Sequence, residues 1–173
     1  RDFLALEEEN RLVRVHGGAV FPTGSVERLS LEDRIGMNRE GKRVLSEAAC
    51  DFIKDGDIIA IDTGSTAAEF ADILRLRFNE LTVITHSIDV FERLQGKNGF
   101  KIILVGGTFM PDEKAFCGIT ALETYKMLHF DKVFITPAAV SLKNGITDCG
   151  EVLMTVERQM LESADQVFVL ADS

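Results

Sequence analysis

The chain has no tryptophan, one tyrosine and only three cysteines in its 173 residues. Cys50, Cys117 and Cys149 stand far apart and form no CxxC pair, which argues against a zinc ribbon or a dithiol redox motif. Cys50 falls on the apolar face of a predicted helix and reads as core. Cys117 and Cys149 fall near predicted loops with no general base beside either, so no catalytic thiol is expected. No HExxH string occurs and no two histidines lie at i, i+4, so no metal is expected. There is no apolar run long enough to span a bilayer and no signal-peptide pattern. The expected setting is a reduced cytoplasm, without a membrane.

Positive charge is also scarce. Lys and Arg total 19 against 28 Asp and Glu, a net charge of −9. A surface of that sign repels nucleic acid, so the chain does not read as a complete nucleic-acid-binding domain. A local basic pocket for a small anion stays open. Hydrophobic residues make up 46% of the chain, an ordinary globular share, and its length leaves room for one α/β domain with a sizeable core. The chain begins at Arg1 and ends at Ser173, directly after a strand-like run, and reads as a piece of a longer protein.

From residue 30 onward short apolar runs alternate with amphipathic stretches. Strands are predicted at 58–62, 81–85, 101–105, 132–135 and 167–170, and helices at 39–53, 67–77, 88–94, 119–127 and 152–164. Val44, Leu45, Ala48, Ala49 and Phe52 recur at helical spacing on the first helix. This alternation predicts an α/β fold with a mainly parallel sheet, helices on both faces and right-handed crossovers. Residues 1–20 differ: helix formers run through Glu9, then 12–16 alternate like a short strand closed by Gly17-Gly18. Residues 21–29 read as a linker and 30–173 as the main domain.

The most informative stretch is Ile58-Ile59-Ala60-Ile61-Asp62-Thr63-Gly64-Ser65-Thr66. A buried strand stops at a glycine and hydroxyl turn, and a helix follows. Its first N–H groups and the positive end of its dipole suit a phosphate. The plainer reading is a capping turn in which Thr63 or Ser65 satisfies those N–H groups. In a parallel sheet the ligand crevice lies beyond the carboxyl ends of the strands. Here those ends are the 62–66 loop, Thr85-His86-Ser87, Gly106-Gly107-Thr108 and Thr136 onward, all small, polar or glycine-rich. Together they suggest a polyhydroxylated, phosphorylated ligand. No aromatic stacking pair accompanies the loop, which favours sugars over nucleotides. A carboxylate repels phosphate, so Asp62 is expected to bond a sugar hydroxyl or to fix the loop through its N–H groups.

Further landmarks run the length of the chain: Arg1-Asp2-Phe3-Leu4, Leu6, Arg14-Val15-His16-Gly17-Gly18-Ala19, then Arg34, Asn38 and Lys42, then Asp62 to Thr66, Gly106-Gly107, Gly118, Phe130-Asp131-Lys132, Gly145-Ile146-Thr147 and Ala171-Asp172-Ser173. In that order they resemble the DeoR-type transcriptional regulators, whose C-terminal sensor domain is related in fold to ribose phosphate isomerase. The resemblance implies that residues 1–20 are the remnant of a winged helix-turn-helix and that 30–173 form the effector-binding sensor domain. It implies a cytoplasmic repressor of sugar or carbohydrate operons, binding a phosphorylated sugar or related metabolite that alters DNA affinity. Asp62, Thr63, Gly64, Ser65 and Thr66 would hold the phosphate, and Thr85, His86, Ser87, Gly106 and Gly107 would line the sugar. Lys42, Gly145 and Thr147 would complete the ligand set. The implied partners are operator DNA, through the mostly absent winged helix, and further copies of the chain in a dimer or tetramer. No cofactor is implied.

Three positions depart from the family pattern. His86 stands where the second loop usually carries Asn; it is larger and titrates near neutrality, so it either alters ligand choice or caps the next helix. Glu151 and Glu157 are shifted from the usual charge pattern of the last helix. The alternative function is a sugar-phosphate isomerase, which needs a carboxylate base beside the reacting carbon. The isomerases resembled carry closely spaced Asp and Glu after the fourth strand. Thr136-Pro137-Ala138-Ala139-Val140-Ser141 contains no carboxylate, and Asp148 stands later without a second acid. Binding without turnover is therefore expected, with no catalytic residue. Phe109, Met110 and Phe116 are candidates for an interface, a lid or the core.

Overall fold

The computed structural model describes residues 13–15, 18–20, 30–148 and 150–171. The predicted helix at the amino terminus, His16, the linker 21–29, Cys149 and Asp172-Ser173 lie outside them. Two short strands, β1 (Val13–Val15) and β2 (Gly18–Val20), pair antiparallel. Helices α1 (Leu31–Gly36) and α2 (Arg39–Cys50) follow. The chain then runs through β3 (Ile58–Ile61), α3 (Ser65–Arg77), β4 (Leu81–Thr85), α4 (Ile88–Leu94) and β5 (Phe100–Leu104). A hairpin of β6 (Thr108–Met110) and β7 (Ala115–Cys117) encloses the 3-10 turn Pro111–Glu113. After it come α5 (Ile119–Lys126) and β8 (Phe130–Ile135), then the hairpin β9 (Ala139–Ser141) and β10 (Gly145–Thr147), then α6 (Glu151–Glu162) and β11 (Ala164–Val169).

Five strands form one parallel sheet in the order β11-β8-β3-β4-β5, the predicted α/β architecture. Alternation along each strand divides two cores. Ile59, Ile61, Val83 and Phe134 pack under α2, α3 and α4 with Ala49, Phe70, Leu74 and Val90. Ala60, Ile84, Val133 and Ile135 pack on the other face under α5 and α6 with Tyr125, Val156 and Met160. Both faces are covered, so the strands carry continuous apolar runs rather than a polar alternation. Phe70 stands 4.8 Å from Phe134, which stacks on Phe168 at 4.9 Å.

From β3 the chain moves outward through β4 to β5, then returns to β8 and β11 on the other side. The direction of winding reverses between β3 and β8. That reversal opens a crevice beyond their carboxyl ends, which places the ligand end of the sheet at Asp62 and Thr136.

Some expectations about local structure are corrected. The helix predicted at 39–53 stops at Cys50, and Val44 and Phe52 are 57% and 58% exposed. The buried stripe of α2 is Lys42, Ser46, Ala49 and Cys50, whose two polar members hid it in the apolar pattern. Phe52 rests instead against Phe168, 5.0 Å away at the β11 edge. Both hairpins went unpredicted because three-residue strands carry too little periodicity. Phe109 and Phe116 face each other across one of them at 5.6 Å, and Met110 packs on the second core.

Phe70 is fully buried, so Phe70→Ala should lower stability by about 3–5 kcal/mol. Val44→Ala, on the exposed side of α2, should change it by less than about 0.5 kcal/mol. Urea unfolding of the two variants against the parent measures both.

Candidate ligand-binding site

The turn from β3 into α3 sits at the switch point. Gly64 takes φ +113°, a conformation that L side chains rarely adopt, and a Cβ there would lie 3.3 Å from Thr136 Oγ1. No side chain caps α3, whose ladder starts with Ala68 N donating to Gly64 O at 3.0 Å. The N–H groups of Ser65, Thr66 and Ala67 are therefore the uncapped start of a helix. Thr63 does not act as the cap: its hydroxyl donates to the Glu113 carbonyl at 3.0 Å and lies 3.4 Å from Ser87 Oγ.

Asp62 fixes the turn. Its backbone N–H donates to Phe134 O at 3.1 Å, and its Oδ2 accepts the Thr136 N–H at 2.9 Å. The Thr136 hydroxyl donates in turn to Thr63 O. At the end of β4, Ser87 accepts the Val90 N–H at 3.3 Å and caps α4, while Ser87 N donates to Thr85 Oγ1 at 3.1 Å. The α4 cap is thus Ser87, and His86 points elsewhere.

His86 Nδ1 lies 3.1 Å from the Tyr125 hydroxyl, and its Nε2 faces Asp62 Oδ1 at 3.6 Å. Among the described residues neither Nε2 nor Oδ1 has a hydrogen-bond partner, although both residues are buried. Burial pushes the Asp62 carboxyl up to about 6, helped by the nearby charge of Asp148 and opposed by its N–H donors from Thr136 and Thr63. Burial also lowers the imidazole of His86 to about 4 and holds the Tyr125 phenol well above its usual value. His86 is therefore neutral at pH 7, and its contact with Asp62 is not an ion pair. With Tyr125 donating to Nδ1, the Nε2 proton faces the carboxylate.

The remaining sequence candidates divide. Gly107 is required by packing, since a Cβ would meet Cys117 O at 2.4 Å; Gly106 faces open space. Lys42 is buried under the α1–α2 turn, where its amine donates to the carbonyls of Arg34 and Met37. Gly145, at φ +69°, and Thr147 lie on the exposed β9–β10 hairpin, with the Thr147 hydroxyl 3.4 Å from Ala139 O. A cavity of about 190 Å³ touches the α3 start at Ser65, but its other walls are Ile35, Gly36, Arg39, Glu69 and Arg93. It flanks the strand ends rather than covering them.

Three residues at the site had no assigned role in the sequence reading. Arg34, only a landmark there, reaches the loop and donates from Nη2 to Glu113 Oε2 at 2.6 Å. Glu113 sits on a turn 79 positions away, a distance no local pattern spans. Tyr125 could have been flagged only by its being the sole tyrosine. Among the described residues no cluster of His, Cys, Asp and Glu is placed to hold a metal ion, and no helix is long and apolar enough to cross a membrane. Burial pushes the Cys50 thiol up to about 11 and raises that of Cys117, so neither is a thiolate.

The family model described as the DeoR C terminal sensor domain matches residues 37–173. The chain belongs to the DeoR family. Similar proteins include the HTH-type transcriptional repressor GlcR of Bacillus subtilis, 34% identical over 172 residues that cover 99% of this chain and 66% of that protein. The lactose phosphotransferase system repressor of Lactococcus lactis is 32% identical over 176 residues, covering 100% of this chain and 68% of that protein. The chain thus spans about two thirds of the length of these relatives. Among solved structures, ribose 5-phosphate isomerase A of Methanocaldococcus jannaschii matches with a TM-score of 0.54 at 19% identity, over 76% of this chain and 52% of that one. The eIF2B beta structure from Chaetomium thermophilum matches with a TM-score of 0.53 at 16% identity, over 76% of this chain and 41% of that one. At such identities the likeness is one of fold. A DeoR sensor domain and relatives named as repressors favour the regulatory reading over the isomerase alternative.

The titrations of Asp62 and His86 oppose each other. A folded carboxyl raised from 3.8 to about 6 binds a proton before the unfolded one does, so acidification through that window favours folding. A folded imidazole lowered from 6.5 to about 4 stays neutral while the unfolded one charges, so acidification costs stability. His86→Asn removes the second contribution. Relative to the parent, it should gain stability as the pH falls from 6.5 toward 4. Urea unfolding at pH 7, 6 and 5 reads the difference, and a constant offset across that range would contradict it.

Proposed function

We propose that the chain is the effector-sensing domain of a transcriptional repressor of sugar or carbohydrate genes. A phosphorylated sugar, or a closely related metabolite, binds at the carboxyl ends of the strands with its phosphate on the start of α3. The observation that carries this reading is the uncapped helix after Gly64, set at the switch point among buried neutral hydroxyls. A helix start of this kind offers N–H donors and a positive dipole end, and the glycine lets an oxyanion approach the backbone closely. Asp62, Thr63, Gly64, Ser65 and Thr66 form the phosphate loop of this proposal, with Thr85, His86, Ser87, Gly106 and Gly107 on the sugar side; Lys42, whose amine is given to the Arg34 and Met37 carbonyls, and Gly145 and Thr147, on the exposed β9–β10 hairpin, have no assigned role in it. Asp62 divides its labour, with Oδ2 on the Thr136 N–H and the buried Oδ1 facing His86 Nε2 at 3.6 Å.

Effector binding shifts the population between states that differ in affinity for operator DNA, gripped by a winged helix preceding this domain. Paired half-sites on the DNA call for a dimer or a tetramer. The repressors of B. subtilis and L. lactis to which the chain is similar support the regulatory part of this reading.

A thermal-shift panel of phosphorylated sugars and their free counterparts tests it. A true effector at a hundred times its Kd should add about 2.7 kcal/mol of stability, and the matching free sugar much less. Gly64→Val should abolish the shift, because it fills the approach and strains φ. Thr66→Asp should abolish it without loss of fold, since a carboxylate suits the helix start but repels phosphate. An undiminished shift in a folded Thr66→Asp protein would refute the phosphate loop.

A further inference from the structure

Arg34 extends from α1 across the start of α3. Its Nη1 lies 4.0 Å from the point a Cβ on Gly64 would occupy, beside the uncapped N–H groups. Its Nη2 is held by Glu113 Oε2 at 2.6 Å, and its Nε, although buried, has no hydrogen-bond partner. A guanidinium presents its five N–H donors in a rigid fork that matches two oxygens of a phosphate or carboxylate. Here one arm meets an internal carboxylate while another overhangs the loop.

Glu113 is held in place by its own backbone and that of its neighbour. Its carbonyl accepts the Thr63 hydroxyl at 3.0 Å, and the Lys114 carbonyl accepts Ile88 N–H at 2.8 Å. Its carboxylate side chain is 3% exposed. A carboxylate paired to an arginine over a helix start is an anion placed where an anion is favoured. We propose that Arg34 is a ligand of the effector's phosphate and that Glu113 is its internal competitor, holding the guanidinium over the loop until a phosphate monoester displaces the carboxylate. This proposal rests on the phosphate reading of the α3 start.

The exchange also reaches α1. That helix directly follows residues 21–29 and is tied to the turn of the β6–β7 hairpin by two ion pairs, Arg34 with Glu113 and Glu32 with Lys114 at 2.7 Å. A phosphate that takes Arg34 removes one of the two. Helix α1 is then held differently in the bound and free states.

The test is a double-mutant cycle in the intact protein, with inorganic phosphate as the probe and calorimetric titration as the readout. Glu113→Gln should tighten phosphate binding about tenfold, because the competing charge is gone. Arg34→Gln should weaken it about tenfold or more, and Glu113→Gln added to Arg34→Gln should change little further. Arg34→Lys keeps the charge without the fork and should fall between; it completes the cycle if Arg34→Gln does not fold. Phosphate bound by the parent but unchanged in Glu113→Gln would overturn the competition, and equal tightening in both backgrounds would overturn the role of Arg34. No phosphate binding by any folded variant would instead remove the phosphate reading, and this proposal with it.

Discussion

Asp62 accepts the backbone N–H of Thr136 across the seam between β3 and β8, and the site is assembled on that bond. The paired ladder already runs through Ile61 and Phe134, and Asp62 N extends it to Phe134 O. The carboxylate extends it once more, where the two strands would otherwise be free to diverge. Thr136, so placed, bonds Thr63 O and closes against Gly64. A charge-assisted bond of this kind contributes about 1.5–3 kcal/mol. It is made in a place where burial opposes ionisation, as the raised carboxyl of Asp62 records. The seam is therefore both the joint of the fold and its least comfortable spot, as is common where a fold carries a binding site.

A chain of net charge −9 could hold the proposed phosphate only by local means. The charges over most of its surface are separated from the site by more than the screening length of about 8 Å at physiological salt. In the proposed site those means are the helix start and the Arg34 guanidinium, which the fold holds in place through Glu113. The neutral hydroxyls of Thr63, Ser65, Thr85 and Ser87 add donors and acceptors without adding charge.

Much of the architecture was legible because it is periodic. The short apolar runs of β3, β4 and β8, alternating with amphipathic stretches, announced a covered parallel sheet, and the Asp62 to Thr66 turn announced a helix start. What escaped was either short or remote. The hairpins β6–β7 and β9–β10 have strands of three residues each, below any period. The buried stripe of α2 contains Lys42 and Ser46, so the apolar pattern pointed to Val44 and Phe52 instead. Glu113 reaches the site from a turn beyond the third strand of the sheet, and its meeting with Arg34 is a property of the tertiary fold. His86 was visible as an oddity, but its neutral state follows from full burial, which a sequence does not display.

Tyr125 has a consequence of another kind. This chain has one tyrosine and no tryptophan. The ring lies edge-on to His86, with centroids 5.9 Å apart, and its hydroxyl meets the imidazole at 3.1 Å. With no indole in the chain to drain its excitation, the phenol is a built-in optical probe. It sits one side chain away from Asp62, through the hydrogen bond it shares with His86. The domain thus carries its own label at the floor of the crevice.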